Sequence, residues 1–166
     1  MKISVIIPHK NIPRLLQRCL DSIPNNNADV EAIVVDDASD ADVVSELNSW
    51  KEVYPNCIFV FDETSKGAGH ARNVGMEKAT GDWVIFADAD DFFEKEFWNV
   101  VFPIIGGNKD LDIIYLKNKG IDTVTLETTM RGVVANQLVD NYLSGKKHSE
   151  ERLRYCHVIP WGKIFK

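Results

Sequence analysis

The chain has 166 residues, 45% of them apolar, which is enough for one domain with a sizeable core. Lys and Arg number 19 against 25 Asp and Glu, a formal net charge of −6, and Gly and Pro contribute only 10 and 6 residues. That balance excludes disordered and collagen-like classes. An acidic chain without basic clusters is no nucleic-acid binder and carries no polybasic membrane anchor. An anionic ligand would need a local device: a metal, a helix N-terminus or a well-placed Arg.

Ile3 to Ile7 is a nearly continuous apolar run rich in β-branched residues and closed by Pro8, the pattern of a buried parallel strand. Asn11 before Ile12-Pro13 then reads as a helix cap. Leu15, Leu16, Cys19, Leu20 and Ile23 follow at helical spacing, and Pro24 with Asn25-Asn26-Asn27 ends the helix. Val30 to Val35 is a second strand, broken off by Asp36-Asp37. Val43, Val44, Leu47 and Trp50 share one face of a second helix, and Ile58 to Phe61 form a third strand. Residues 68–79 make a third helix with a small inner face (Ala68, Ala71, Gly75, Ala79). Trp83 to Ala87 is a fourth strand, ending in Asp88-Ala89-Asp90-Asp91. Such alternation with short connections predicts an α/β fold, a mostly parallel sheet with helices on both faces. Farther on, a helix over 94–102, strands at Asp112 to Leu116 and Val124 to Leu126, and a helix near 136–143 are predicted, and little else.

The three cysteines, Cys19, Cys57 and Cys156, are widely spaced and form no Cys-x-x-Cys pair, so they read as reduced buried thiols. No apolar run approaches the ~20 residues that span a bilayer. The first seven residues hold too short an apolar stretch for a signal peptide, which predicts a cytoplasmic protein.

In open α/β sheets the ligand lies outside the carboxyl ends of the strands. Here those ends carry Pro8-His9-Lys10-Asn11, Asp36-Asp37 and Asp88 to Asp91, so five carboxylates converge on one rim. Two such charges ~4 Å apart repel by roughly 4 kcal/mol at an effective dielectric near 20. A cation or hydrogen-bond donors must offset that repulsion, and hard oxygen ligands select Mg²⁺ or Mn²⁺. Asp88 and Asp90, two apart on extended backbone, point to the same side and can share one ion or one diol. Asp91 belongs with them, because Phe92-Phe93 follows where a turn residue would be expected. Asp40 and Asp42 read as helix-cap and solvated turn residues.

Lys66 to Gly75 opens the third helix with Gly67 and Gly69, similar to loops that cradle phosphate, though the spacing matches neither a P-loop nor a dinucleotide fingerprint. Small residues for tight helix–sheet packing explain it equally. Arg72 in that segment has the planar fork that suits phosphate or a base edge. His9, His70, His148 and His157 show no metal-ligand spacing and read as ordinary core or surface histidines. No nucleophile motif is present.

Assembled, these residues resemble the family 2 glycosyltransferases, inverting enzymes of the Rossmann-like GT-A fold, a three-layer sandwich. Ser4-Val5-Ile6-Ile7-Pro8 resembles the family's first strand, and Val34-Val35-Asp36-Asp37-Ala38-Ser39 its nucleotide-reading turn. Gly69 to Gly75 with Ala79-Thr80-Gly81-Asp82 is similar to its third-helix signature, and Phe86 to Asp91 to its Asp-x-Asp site. Trp161-Gly162-Lys163-Ile164-Phe165 resembles a segment of capsule- and exopolysaccharide-type members. The ordered set covers residues 3–91 densely and the remainder thinly.

The resemblance implies a nucleoside-diphosphate sugar donor, usually a uridine one, with Mn²⁺ or Mg²⁺, and a saccharide or lipid-linked saccharide acceptor. The latter would bring the protein to the inner membrane face. Asp37 would hydrogen-bond the base with Asp36 nearby, Pro8, His9 and Asn11 would wall the base pocket, and Arg72 would lie against the nucleotide. Asp88 and Ala89 would contact the ribose side, and Asp88, Asp90 and Asp91 the metal. His9-Lys10-Asn11 stands where many members carry Val-Tyr-Asn. The family's general base commonly follows the Trp-x-Lys-x-Phe segment, so it is expected beyond Lys166. Residues 1–166 then form one GT-A domain truncated at its C-terminus, with 1–91 binding the nucleotide sugar and 92–166 beginning the acceptor side. Glu150 and Glu151 lie in a charged run and read as solvated helix surface.

A haloacid-dehalogenase-type phosphotransferase would need Thr or Val where Phe92 stands, and its motif near the chain start. A receiver domain would need its paired acids after the first strand and a Lys-Pro strand end. A nucleotidyltransferase would need a Gly- and Arg-rich first loop, which His9-Lys10-Asn11 does not supply. A non-catalytic sugar-nucleotide-binding scaffold of the same fold shares every rim residue and is the alternative the sequence leaves open.

Overall fold

The computed structural model describes residues 1–107, 110–122, 125, 127–129, 133–151 and 162–166. It is a mixed α/β protein whose central sheet has six strands, most of them parallel. Two compact units are distinguished, Met1–Asp112 with Phe165–Lys166, and Ile113–Ile164.

In the first unit, β1 (Ile3–His9), β2 (Val30–Asp37), β3 (Cys57–Asp62) and β4 (Trp83–Phe86) are parallel in the order β3-β2-β1-β4. Every residue of β1 and β2 is buried, which explains their nearly continuous apolar runs. Register pairs Ile6 with Ile33 and Phe86, and His9 with Asp36. The helices α1 (Pro13–Asp21), α2 (Ala41–Ser49) and α3 (Ala68–Lys78) fall between the strands, and α4 (Phe97–Gly107) follows β4. Ala71 of α3 packs with Ile6, Ile33 and Val35 on one sheet face. By alternation Val5, Ile7 and Val34 face the other way.

Helical crossovers carry the chain from β1 outward to β2 and β3, and the next returns it across the sheet to β4 on the far side of β1. The direction of winding therefore reverses between β1 and β4. Ligands collect in the crevice at such a reversal.

Glu31 interrupts the apolar run of β2, and its carboxylate is buried on the α3 side. It accepts hydrogen bonds from the Ser4 hydroxyl (2.5 Å), from Thr80 N–H (2.7 Å) and from the Thr80 hydroxyl, and pairs with Lys2. Burial pushes its pKa up, but the Lys2, Ser4 and Thr80 contacts outweigh that and hold it at about 2. Gly81 N–H donates to the Ser4 hydroxyl and Lys2 N–H to Asp82. The Ala79-Thr80-Gly81-Asp82 segment thus ties the end of α3 to the starts of β1 and β2, at the end of the sheet away from the carboxylate rim.

Strand β5 (Ile113–Tyr115) neighbours β8 (Lys163–Phe165), and within the second unit Leu116 N–H is bonded to Gly162 C=O (2.8 Å). β6 (Gly120–Ile121) and β7 (Thr128–Thr129) form a separate antiparallel ribbon. Helix α5 (Val133–Leu143) buries Leu138 and Val139, with Tyr115 packed against them, and Asn136 makes a two-way bond with the Asn118 backbone.

Several expectations are corrected. Asn11 does not cap α1: Ile12 is the N-cap, and Asn11 has φ 53° with its side-chain oxygen accepting Asp40 N–H instead. Helix α4 runs to Gly107, past the expected end at 102 and through Pro103, and α5 begins at Val133 rather than near 136. β6, β7 and β8 were not anticipated as placed. The strand expected at Val124 to Leu126 lies outside the described residues, except for Thr125, which is in a turn. Cys156, His157 and Trp161 lie outside them too. Of the thiols described, Cys19 is buried and Cys57 half-buried, both free.

Candidate functional site

The first wall of the crevice is the exit of β1. His9 is 2% exposed, and both its ring nitrogens are occupied: Nδ1 pairs with the Asp36 carboxylate (2.8 Å), and Nε2 accepts Ile12 N–H (3.2 Å). Nε2 as acceptor puts the ring proton on Nδ1, donated to Asp36. Asp36 also accepts from Ser39 N–H (2.9 Å) and the Ser39 hydroxyl, and that hydroxyl receives Asn11 N–H (2.8 Å). Pro8, His9, Asn11 and Asp36 are therefore brought together, with the His9 and Asp36 side chains stitching the β1 and β2 exits to each other.

Asp37 reaches the other way, toward the entry of α3. Its oxygens accept the Ser65 hydroxyl (2.6 Å), Lys66 N–H (2.6 Å) and Gly67 N–H (3.0 Å). The Ser65 bond depresses its pKa most, burial opposes that, and Lys66, Gly67 and the Lys10 charge add to the lowering. No side chain caps α3 at Gly67, whose φ of 86° suits Gly, and the Asp37 carboxylate occupies the backbone N–H groups just ahead of the helix. The glycine loop thus binds an internal carboxylate in this structure.

Beyond β4, Ala89 is buried, Asp88 half-buried, and Asp90 and Asp91 exposed. One carboxylate oxygen from each of Asp88, Asp90 and Asp91 lies within 4.8 Å of the others. Asp91 N–H closes a turn onto Asp88 C=O (2.9 Å), which folds the segment so that three carboxylates share a side instead of two. Arg72 reaches over from α3 and donates to Asp88 (2.6 Å), while its buried Nε has no partner. A set of hard oxygen donors this close fits a divalent cation of the Mg²⁺ or Mn²⁺ kind.

Sequence reading missed Arg18, which donates to Asp90 C=O (2.6 Å) from α1, and the buried network around Glu31. A carboxylate inside a buried strand is itself a signal that partners must exist. Nothing local marks Arg18, 72 residues before its acceptor. Asp40 is the α2 N-cap without a side-chain bond, and Asp42 sits in its first turn, as expected of solvated positions. His70 approaches Asp62 at 3.4 Å, and Glu150 and Glu151 are exposed.

The family model described as Glycosyl transferase family 2 matches residues 4–157. Glycosyltransferase GlyA of Streptococcus pneumoniae serotype 4 is 31% identical over 99% of this chain and 24% of its own length. A poly(ribitol-phosphate) beta-glucosyltransferase of Bacillus spizizenii is 39% identical over 58% of this chain and 16% of its own length. Among solved structures, S. aureus TarS 1–349 in complex with UDP is 29% identical, with a TM-score of 0.64 over 78% of this chain and 39% of that one. A Pyrobaculum calidifontis mannosyltransferase in complex with GDP-Man and Mn²⁺ is 27% identical, with a TM-score of 0.58 over 69% and 35%. The chain spans less than half the length of these proteins. With the switch-point crevice, the ordered motifs and the matched span of residues 4–157 in agreement, the chain belongs to glycosyl transferase family 2.

Proposed function

We propose that this chain forms the donor-binding part of a glycosyltransferase that takes a nucleoside-diphosphate sugar, a uridine one, with a divalent metal. The sugar would pass to a saccharide or lipid-linked acceptor, at the cytoplasmic side of a membrane in the lipid-linked case. Among the described residues no helix is long and apolar enough to cross a membrane. The observation that carries the reading is the group of three carboxylates at the exit of β4, in the crevice between β1 and β4, with Arg72 bonded to Asp88. Support also comes from the similar proteins solved with UDP and with GDP-Man and Mn²⁺.

Asp88, Asp90 and Asp91 would hold the ion, which when bound acts as a Lewis acid on the diphosphate leaving group. Asp88 and Ala89 would face the ribose side. Arg72 orients Asp88 and presents a cation to the nucleotide. Pro8, His9 and Asn11 would wall the base, with His9 and Asp36 fixing the wall's backbone. Asp37, held ionised by its donors, would stand at the base edge. Calorimetric titration with UDP, GDP, CMP and ADP, in Mn²⁺ and in EDTA, tests the reading. It expects heat with UDP in Mn²⁺ alone; equal binding in EDTA, or a preference for ADP, would contradict it.

A further inference from the structure

The acidic segment after β4 is held from two sides, and the second holder comes from α1. Arg18 donates from Nη2 to the backbone C=O of Asp90 (2.6 Å), and its guanidinium lies 4.9 Å over the Phe92 ring. Four residues on, the Ser22 hydroxyl accepts Phe93 N–H (3.0 Å) and Ser22 C=O accepts the Trp98 indole N–H (2.9 Å). The last turn and a half of α1 thus binds three successive points of the chain leaving the carboxylates.

The choice of acceptor matters chemically. An arginine paired with the Asp90 carboxylate would occupy one of its oxygens, as Arg72 occupies one oxygen of Asp88. Arg18 instead binds the main chain, and among the described residues the Asp90 carboxylate has no hydrogen-bond or ion-pair partner. The guanidinium fixes the peptide that carries Asp90 and leaves the side chain free to ligate. It also places a positive charge behind three carboxylates that repel one another.

We infer that Arg18 is a positioning residue for the divalent-metal site: with its guanidinium stacked over Phe92 and bonded to the Asp90 carbonyl, it holds Asp90 and Asp91 in register with Asp88. This rests on the metal reading of the segment given under Proposed function. Partners that orient metal ligands are worth about ten- to hundredfold in affinity.

The test is Mn²⁺ binding to the full chain, read from the electron-spin signal of free Mn²⁺ with UDP present, for wild type, R18M, R18K and D90A/D91A. Thermal midpoints without ligand report folding. Arg18→Met is expected to weaken Mn²⁺ about tenfold or more, Arg18→Lys to recover most of that by donating from Nζ, and D90A/D91A to abolish it. Wild-type affinity in R18M beside lost binding in D90A/D91A would overturn the role of Arg18 alone. So would an R18K protein as weak as R18M. A wild-type chain that binds no Mn²⁺ would overturn the metal reading and this inference with it.

Discussion

At the scale of single residues, two buried carboxylates do different work at opposite ends of the strands. Glu31 holds the amino ends of β1 and β2 to the turn after α3, and its pKa is lowered from 4.5 to about 2. A depressed folded-state pKa means stability that is present above the unfolded value and lost as pH falls through the folded one. Denaturation of wild type is therefore expected to lose about 2–3 kcal/mol between pH 5 and pH 2 that Glu31→Gln does not lose over the same window. Equal slopes for the two proteins would dismiss the network as a source of stability. Asp37, also depressed, follows the same sign at the carboxyl end. Asp37→Asn removes the charge and replaces one of the two acceptor oxygens with an amide donor, and is expected to cost about 1–3 kcal/mol in chemical denaturation near neutral pH. A midpoint unchanged from wild type would show that the loop before α3 does not depend on this carboxylate.

At the scale of elements, α3 lies flat on the sheet because its inner face is nearly without side chains. A Cβ at Gly75 would meet Ile6 Cγ2 at 2.3 Å, inside the fully buried β1, whereas one at Gly69 would meet nothing within 4 Å. Both positions are helical. Gly75→Ala is expected to destabilise by about 1–3 kcal/mol through overpacking. Gly69→Ala is expected to stabilise by about 0.5–1 kcal/mol, because alanine loses less backbone entropy in a helix. Denaturant midpoints moving in the same direction for both would contradict this placement of α3. The same packing bears on the site, since α3 carries Arg72 to Asp88.

At the scale of the whole molecule, what the sequence disclosed follows the range of the interactions involved. β1 and β2 were readable because burial on both faces writes a nearly continuous apolar run, the half-buried β3 and β4 because short apolar runs stand between turn and acidic residues, and the helices between them because their apolar spacing is local. Asp88, Asp90 and Asp91 were readable as a group because five apolar residues lead straight into them. Asn11 misled because its side chain serves Asp40 across 29 positions instead of its own helix. β8 is three residues long and gains its place only from neighbours in the sheet, and the β6–β7 ribbon pairs two residues with two. Neither length leaves a period to detect. Arg18 and the partners of Glu31 were hidden for the same reason, since each acts on a residue tens of positions away.

In the reading proposed here, the crevice between β1 and β4 binds a nucleotide and a divalent metal together. Thermal unfolding with UDP and Mn²⁺, singly and combined, on wild type and on D90A/D91A, tests it most directly. A ligand at ~100 times its dissociation constant adds about 2.7 kcal/mol. For a chain of this length that raises the midpoint by about 5–10 °C. The account predicts that rise only when UDP and Mn²⁺ are both present, and its disappearance in D90A/D91A. No rise in wild type, or the same rise in the double variant, would contradict it.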